Sequence, residues 1–511
     1  MKKIFNILAT AVALVSIASC NLDLKPEGSI VYDPDNLISF ASDLQGLEAD
    51  VLAQLRGLEY GIYDEASDVM VDYFNATIDY GNNLGSIHRT DNTFTAGDYD
   101  SEDNWQNMFY AIKNFNIVID GCTVDALPED LKADAEMVAL AHQARGEAYF
   151  ARAYVYLHMA RIFGKPVATA SDSDLAVPVV LHYDQNAMPA RATVSEVYEQ
   201  IKADLDSAYA LLKNVPGAAR AERPTVDAVN ALYARYYLDK ADYANAAAKA
   251  VEVINTGNYA LADDAATFAA EFSNDNGTEP ILQFYASLAE GGSARHEYIC
   301  PTETADNTYG PYYQPYFLPC KTLVEAYEAS DLRLANWFSI NQNYTELNGS
   351  FMNDQFYVFL KYPGNMALTS GNVHTTAHAV KPLLISEMYL IAAEAYALSG
   401  STGDAAAQLN VLQAKRGATP TSGAIANVKA EWYKETVGEG LRMSCLKRWG
   451  EGFSGRPAQA GAVGFLMSGP DYEGKSMPAS DYHWQWPVPT YEIQVNPNLV
   501  QNEGYVSTSE N

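Results

Sequence analysis

Positive charge is scarce in this chain. Lys and Arg total 33 against 64 Asp and Glu, a formal charge of −31 over 511 residues. No stretch concentrates Lys and Arg, so a nucleic-acid surface, which must meet phosphates with clustered cations, is excluded. Electrostatic adhesion to anionic headgroups is excluded for the same reason. The acid excess serves solubility. Cysteine is sparse too: the five residues form no CxxC pair and no Cys/His spacing that would hold zinc. Beyond the first twenty residues no apolar run approaches the ~20 residues of a membrane-spanning helix. Catalytic signatures are missing. There is no P-loop and no GxGxxG. The nearest approach to a nucleophile elbow, Gly452-Phe453-Ser454-Gly455, fails because Arg456 holds the fifth position. His374 and His378 are four apart, but Thr375 and Thr376 stand between them and no Glu is present. No motif marks a glycosidase carboxylate pair, which leaves a secreted glycoside hydrolase as the enzymatic alternative. Neither metal nor cofactor is expected.

The chain opens with a leader. Lys2 and Lys3 precede an apolar stretch from Ile4 to Ile17, and Ala18-Ser19-Cys20 follows. A cationic start, an apolar middle and small residues at the end define a signal peptide. Small residues directly before a Cys resemble the bacterial lipobox, in which the Cys sulfur takes a lipid. The expectation is a lipoprotein signal peptide over 1–19, lipidation at Cys20 and a tether over 20–36 marked by Pro26, Gly28 and Pro34. Residues 37–511 then form a single domain, with an N-terminal part to about 260 and a C-terminal part from about 261. Of Cys122, Cys300, Cys320 and Cys445, the pair Cys300 and Cys320 brackets an aromatic-rich segment and is the preferred disulfide. Buried free thiols are the equal alternative.

Helical periods dominate the body. Trp105, Met108, Phe109, Ile112, Phe115 and Ile119 repeat at 3.6 residues. Asp98, Asp100, Glu102 and Asp103 precede them, where acids favour a helix N-terminus. The run faintly resembles a calcium loop but lacks its Gly and its last acid. Glu136–Phe163 is a long helix stopped by Gly164-Lys165-Pro166. Thr193 or Ser195 caps the next, with Val197, Ile201, Leu205, Ala208 and Leu212 on one face. Pro224–Ile254 reads as two helices broken near Lys240–Tyr243, and Leu384–Lys415 as two broken at Ser399–Asp404. Leu232 and Ala246, and Ala392 and Ala406, are each fourteen apart, which is similar to degenerate tetratricopeptide (TPR) helix pairs. The fold class expected is mainly α: a TPR-like helix-pair bundle with long irregular inserts over 262–382 and 451–490. A TPR-type peptide-binding scaffold is the second functional alternative.

Several longer strings resemble one family. They are the mature start Cys20-Asn21-Leu22-Asp23-Leu24, the helix Arg145–Val167 ("RGEAYFARAYVYLHMARIFGKPV"), the pair beginning at Ile385 ("ISEMYLIAAEAYALSG"), Glu439–Gly450 ("EGLRMSCLKRWG") and the ending Trp486–Tyr505 ("WPVPTYEIQVNPNLVQNEGY"). In this order they resemble the SusD/RagB family of nutrient-binding lipoproteins of Bacteroidota. Departures are small: Glu503 replaces a common Pro, and Glu431-Trp432 a common Glu-Arg. The resemblance implies a SusD-like fold, no catalysis and a lipid-anchored place on the outer face of the outer membrane. It further implies binding of an oligosaccharide or polysaccharide, and delivery to a SusC-like TonB-dependent transporter. Arg145 and Arg152 are seven apart on one helix face. They are expected to pair with carboxylates such as Glu147 or Glu439, because a buried Arg needs a partner. Trp486 and Asn496-Pro497-Asn498 are expected to lock the C-terminal tail onto the bundle.

A sugar presents apolar CH faces ringed by hydroxyls, so its site wants aromatic planes beside amides and carboxylates. Tyr outnumbers Phe, 35 to 18. The densest loop cluster is Tyr309, Tyr312, Tyr313 and Tyr316, with Trp337 downstream. A second candidate is Asp79, Tyr80 and Asn82. The resemblance supports these two regions, not individual residues.

Overall fold

The computed structural model describes residues 37–506 except 60–62, 291, 293–295, 297, 302, 305–311, 342–345, 348–349, 352–354 and 371–374. The signal peptide, Cys20 and the tether lie outside the described residues, as do Tyr309 and His374. Helices build the body, and strands occur among the described residues only as two-stranded pieces.

Helix α1 (Ala41–Glu59) precedes two short helices, α2 (Tyr63–Met70) and α3 (Gly85–Arg89), which flank strand β1 (Phe74–Ala76). Helices α4 (Tyr99–Gly121) and α5 (Ala135–Phe163) follow. Asp98 caps α4 by accepting the Ser101 N–H at 3.1 Å, so the acidic run before this helix serves its N-terminus. Among the described residues no three His, Cys, Asp or Glu converge as a metal site. Thr193 starts α6 (Val194–Leu212) with a full capping box to Glu196. The face expected for that helix is the one buried: Val197, Ile201, Leu205, Ala208 and Leu212 are all fully covered. Gly146 explains how closely α5 and α6 approach, since a Cβ there would lie 2.7 Å from Leu212 Cγ.

The two predicted pairs are present. Helices α7 (Val226–Asp239) and α8 (Tyr243–Asn255) form the first. After α9 (Ala265–Ser273) and α10 (Leu332–Trp337), α11 (Ile385–Leu398) and α12 (Thr402–Lys415) form the second. Helices α13 (Ile425–Glu435) and α14 (Arg442–Trp449) complete the C-terminal half. The long inserts carry short strands, turns and irregular backbone, as expected.

Buried ion pairs fix how the helices sit. Arg152 on α5 grips Asp204 on α6 through Nε (2.9 Å) and Nη2 (2.6 Å), and its Nη1 donates to Asn116 Oδ1 at 2.7 Å. The partner is Asp204, not the expected Glu147 or Glu439, because Asp204 comes from the next helix and only the folded packing brings it there. Arg145 donates instead to the Ile119 carbonyl (3.0 Å). Glu147 is buried beside Glu48, and burial together with that second carboxyl pushes it up to about 8. Arg235 joins α7 to α11 through Glu387 (2.6 and 2.7 Å). Arg448 and Trp449 both reach Glu394 on α11. Arg416 bridges Glu279 and Glu435, and Arg333 meets Asp331 and Glu435. Burial pushes the Glu435 carboxyl up, but Arg416 and Arg333 outweigh it and hold it at about 2. Each such pair is costly to half-remove, since the survivor is a buried lone charge.

The tail locks as expected. Asn502 Nδ2 donates to the Trp486 and Phe163 carbonyls (2.6 and 3.0 Å), and its Oδ1 accepts from Arg191 Nη2 (2.7 Å). Asn496 and Asn498 donate to the carbonyls of Pro189 and Met188.

The proposed Cys300–Cys320 disulfide is absent; both are buried free thiols, as are Cys122 and Cys445. The Cys320 thiol is spent elsewhere, donating to the Asp72 carbonyl at 3.1 Å beside Thr322.

Candidate functional site

Strand β1 pairs antiparallel with β2 (Phe317–Pro319), placing Phe74 opposite Pro319 and Ala76 opposite Phe317. The pairing runs on past the strand end. The Thr77 N–H donates to the Tyr316 carbonyl (2.9 Å) and its hydroxyl to the Pro315 carbonyl (2.9 Å). On the other edge, the Ile78 N–H donates to the Phe465 carbonyl (2.9 Å) and the Met467 N–H to the Ala76 carbonyl (2.9 Å). Three segments far apart in sequence therefore meet at the start of the 77–83 loop. The two regions expected to carry the site, Asp79–Asn82 and Tyr312–Tyr316, are brought side by side.

The backbone after this junction is unusual. Gly81, Asn82, Leu84 and Thr90 all have positive φ, at 62, 62, 52 and 44°. Asn tolerates this region; Leu does so rarely, and a β-branched Thr is an outlier. Such strain costs on the order of 1–3 kcal/mol per residue and persists only where the surroundings enforce it. Here they enforce a polar cluster around Arg89. Its Nη1 donates to Asn82 Oδ1 (2.8 Å) and the Tyr80 hydroxyl (3.0 Å), its Nη2 to Thr93 Oγ1 (3.0 Å), and its Nε to Asp91 (3.1 Å). Gly85 admits this arrangement, because a Cβ there would fall 2.2 Å from Asn82 Oδ1 and 2.9 Å from Arg89 Nη1. Tyr472 closes the ring from a third segment, its hydroxyl 3.3 Å from that of Tyr80 and its ring 5.9 Å from the Arg89 guanidinium carbon.

The electrostatics follow from these contacts. Burial, then the Tyr472 hydroxyl, pushes Tyr80 up to about 12, so its phenol stays neutral. Burial acts upward on Asp91, but hydrogen bonds from Thr93 and the charge of Arg89 outweigh it and lower its pKa. The cluster holds one cation, one anion, an amide and hydroxyls, with Asn82 and Thr93 at the exposed rim. Such a set can exchange hydrogen bonds with a polyhydroxylated ligand.

The candidates named from sequence divide. Asn82 sits at the rim, and Asp79 is partly exposed beside it. Tyr80 is 94% covered, with its hydroxyl bound to Asn82, Arg89 and Tyr472, so it positions the cluster and offers no open face. Tyr313 and Tyr316 are half-buried, and Tyr316 lies against Tyr298 at 5.8 Å. Tyr312 lies in a short strand paired with Glu303–Thr304. Trp337 is a correction. It is 3% exposed, stacked on Phe268 at 5.3 Å, edge-on to Phe272 and capped by Lys361 Nζ at 4.1 Å. Its ring is core and meets no solvent-borne sugar. Arg89, Asp91, Thr93 and Tyr472 were missed. The Gly81-Asn82-Asn83-Leu84-Gly85 run was the available signal for a special backbone; nothing local points to Tyr472.

Two family models match the chain. One, described as starch-binding associating with the outer membrane, covers residues 32–238. The other, described as the SusD family, covers residues 235–505. The chain belongs to the SusD/RagB family. This is a family of non-catalytic binding proteins associated with the outer membrane. Among solved structures, a SusD superfamily protein of Bacteroides thetaiotaomicron is similar with TM-score 0.72 and 20% identity, over 91% of this chain and 100% of that one. A putative sugar binding protein of Bacteroides vulgatus is similar at 0.71 and 22%, over 92% and 100%. A laminarin binding SusD-like protein is similar at 0.68 and 18%, over 91% and 99%. At these identities the likeness establishes the SusD-like fold. No curated protein matches the chain significantly. No helix among the described residues is long and apolar enough to cross a membrane.

Proposed function

We propose that this SusD/RagB protein captures oligosaccharides at the outer face of the outer membrane, held there by a lipid on Cys20. It then hands them to a SusC-like TonB-dependent transporter. Residues 37–511 act as one domain in this reading. The observation that carries it is the strained, Gly85-dependent cluster of Asn82, Arg89, Asp91, Thr93 and Tyr472, which presents polar groups at an exposed rim without any catalytic arrangement. The family description as starch-binding and the laminarin-binding neighbour support a neutral glucan as the ligand class.

The test is calorimetric titration of the full chain in detergent with soluble starch and laminarin, with each mixture assayed for hydrolysis products. Binding without products, abolished by Arg89→Ala, is the expected result. Released sugar would favour the glycosidase alternative. Affinity purification from the native membrane is expected to recover a TonB-dependent transporter; its absence would refute the delivery role.

A further inference from the structure

Near the Arg89 cluster lies a concavity that the reading above does not use. It has a volume of about 520 Å³, within the range of small-ligand sites, and is lined by Lys165, Lys447, Ser480, Tyr482, Gln485 and Glu503 among others. Tyr482 is its aromatic wall. The ring is clamped by His483, stacked at 3.9 Å, and by Tyr505, edge-on at 5.0 Å. Gly504, with φ +90°, lies so close that a Cβ there would sit 2.4 Å from the ring. The residue nevertheless stays 36% exposed. A ring held this firmly loses little entropy on meeting a ligand.

The polar lining is selective. Lys165 is already paired with Asp174 (2.6 Å). Lys447 is buried and spends its ammonium on the carbonyls of Arg161 and Gly164. Neither cation is left for an anionic ligand, while the Glu503 carboxylate stands at the cavity beside Glu451, which Lys429 holds at 2.6 Å. An acidic sugar would be repelled. Ser480, Gln485, Glu503 and the Tyr482 hydroxyl make no side-chain hydrogen bond to other described residues, so their capacity is open to neutral hydroxyls.

Side-chain contacts link this cavity to the Arg89 cluster. Segment 89–94 carries Arg89, Asp91 and Thr93 toward the first site, and its Phe94 stacks at 6.1 Å on His483, the residue that backs Tyr482. Lys475 ties the same segment down by donating to the Thr90 carbonyl at 2.9 Å. Burial raises the pKa of the Tyr482 hydroxyl, with the charges of Asp481 and then Asp91 adding to it.

We propose that the Tyr482 cavity is a second subsite for a neutral glycan, taking the continuation of a chain whose first units sit at the Asn82–Arg89 rim. This rests on the glycan reading of the preceding section. The protein would thereby select long oligosaccharides over short ones.

The experiment is calorimetry of the full chain in detergent with short and long members of the laminari- and malto-oligosaccharide series. Tyr482→Ala, Gln485→Ala and Arg89→Ala are compared, with thermal melting as the folding control. Gln485→Ala guards against a Tyr482 variant that fails to fold. The expected result is that both cavity variants weaken the long chain about tenfold, to near the affinity of the short one, and leave the short one unchanged. Equal binding of the long chain by wild type and by a folded cavity variant overturns the subsite, as does an equal loss for both lengths. Loss of a co-purifying protein partner with glycan affinity intact also overturns it, making the cavity a docking face. If Arg89→Ala binds every sugar like wild type, the primary reading fails instead, independently of Tyr482.

Discussion

Arg89 reaches Asn82 Oδ1 at 2.8 Å, although Asn82 sits in left-handed backbone with φ of 62°. The strained residue supplies the acceptor, and the cation holds the strained residue. Replacing Asn82 with Gly keeps the backbone accessible and removes the acceptor. Stability should change by less than about 1 kcal/mol, because the amide is exposed. Affinity for the cognate glycan should fall about tenfold, as expected for one charge-assisted contact. Parallel melting and calorimetry check this; an unchanged affinity would remove Asn82 from the site.

Gly85→Ala tests the same cluster from behind. Its methyl would collide with Asn82 Oδ1 and crowd Arg89 Nη1. The variant should fold, since Gly85 opens a short helix and the collision is with side chains. Glycan binding should drop more than for Asn82→Gly, because both partners are displaced. A crystal structure showing Arg89 still on Tyr80 and Asn82 would contradict the argument.

Trp337→Ala should act on stability and not on recognition. The ring is packed among Phe268, Phe272 and Lys361, so its loss leaves a cavity costing about 3–5 kcal/mol. Denaturant unfolding should show that loss, while the folded variant titrates glycan with wild-type affinity. A selective loss of binding would return Trp337 to the site.

Stability should decline with rising pH. Glu147 is held up at about 8 by burial and by Glu48, and Glu271 at about 8 by burial and by Glu279. Each keeps a proton in the folded state that the unfolded chain releases above the ordinary carboxyl range near 4.3. The folded state is therefore favoured below that range, and the advantage is lost as pH rises toward about 8. Glu435, held at about 2 by its arginines, works oppositely: its contribution is present above the ordinary range and is lost as pH falls toward about 2. Melting temperature should peak on the mildly acidic side, and Glu147→Gln should flatten the decline between pH 5 and 8. An identical slope in the variant would show that Glu147 ionises normally.

The thiols offer a direct check on covalent structure. Cys122, Cys300, Cys320 and Cys445 are buried and unpaired, and burial pushes Cys122 up to about 12 and Cys445 to about 11. Native protein should resist alkylation at all four, and denatured protein should react at all four without reductant. Mass spectrometry reads both. A Cys300–Cys320 crosslink in the unreduced protein would refute the free-thiol assignment.

The helices were legible because their signals are local. Thr193 with Glu196 fixes one start, and the small residues around Ala392 fix a pair, within a few turns of chain. The ion-pair partners were not: nothing near Arg152 indicates Asp204, 52 residues on. The site fared likewise. Asp79, Tyr80 and Asn82 were found as a polar loop, but Tyr80 turned inward because Phe317 and Tyr472 cover its ring. Trp337 read as a loop aromatic because its companions, Phe268, Phe272 and Lys361, arrive from other segments. Periodicity reports on a helix face; it says nothing of which insert folds over it.

The junction at Thr77 and Tyr80 spans 238 residues to Pro315 and 392 to Tyr472. Arg89 holds the loop from nearby in sequence, but the strand partner and Tyr472 come from far along the chain. A C-terminally truncated chain can keep its early helices and still lack the groups that complete the cluster. An intact cluster thus reports an intact chain: a copy clipped before Tyr472 loses one side of it.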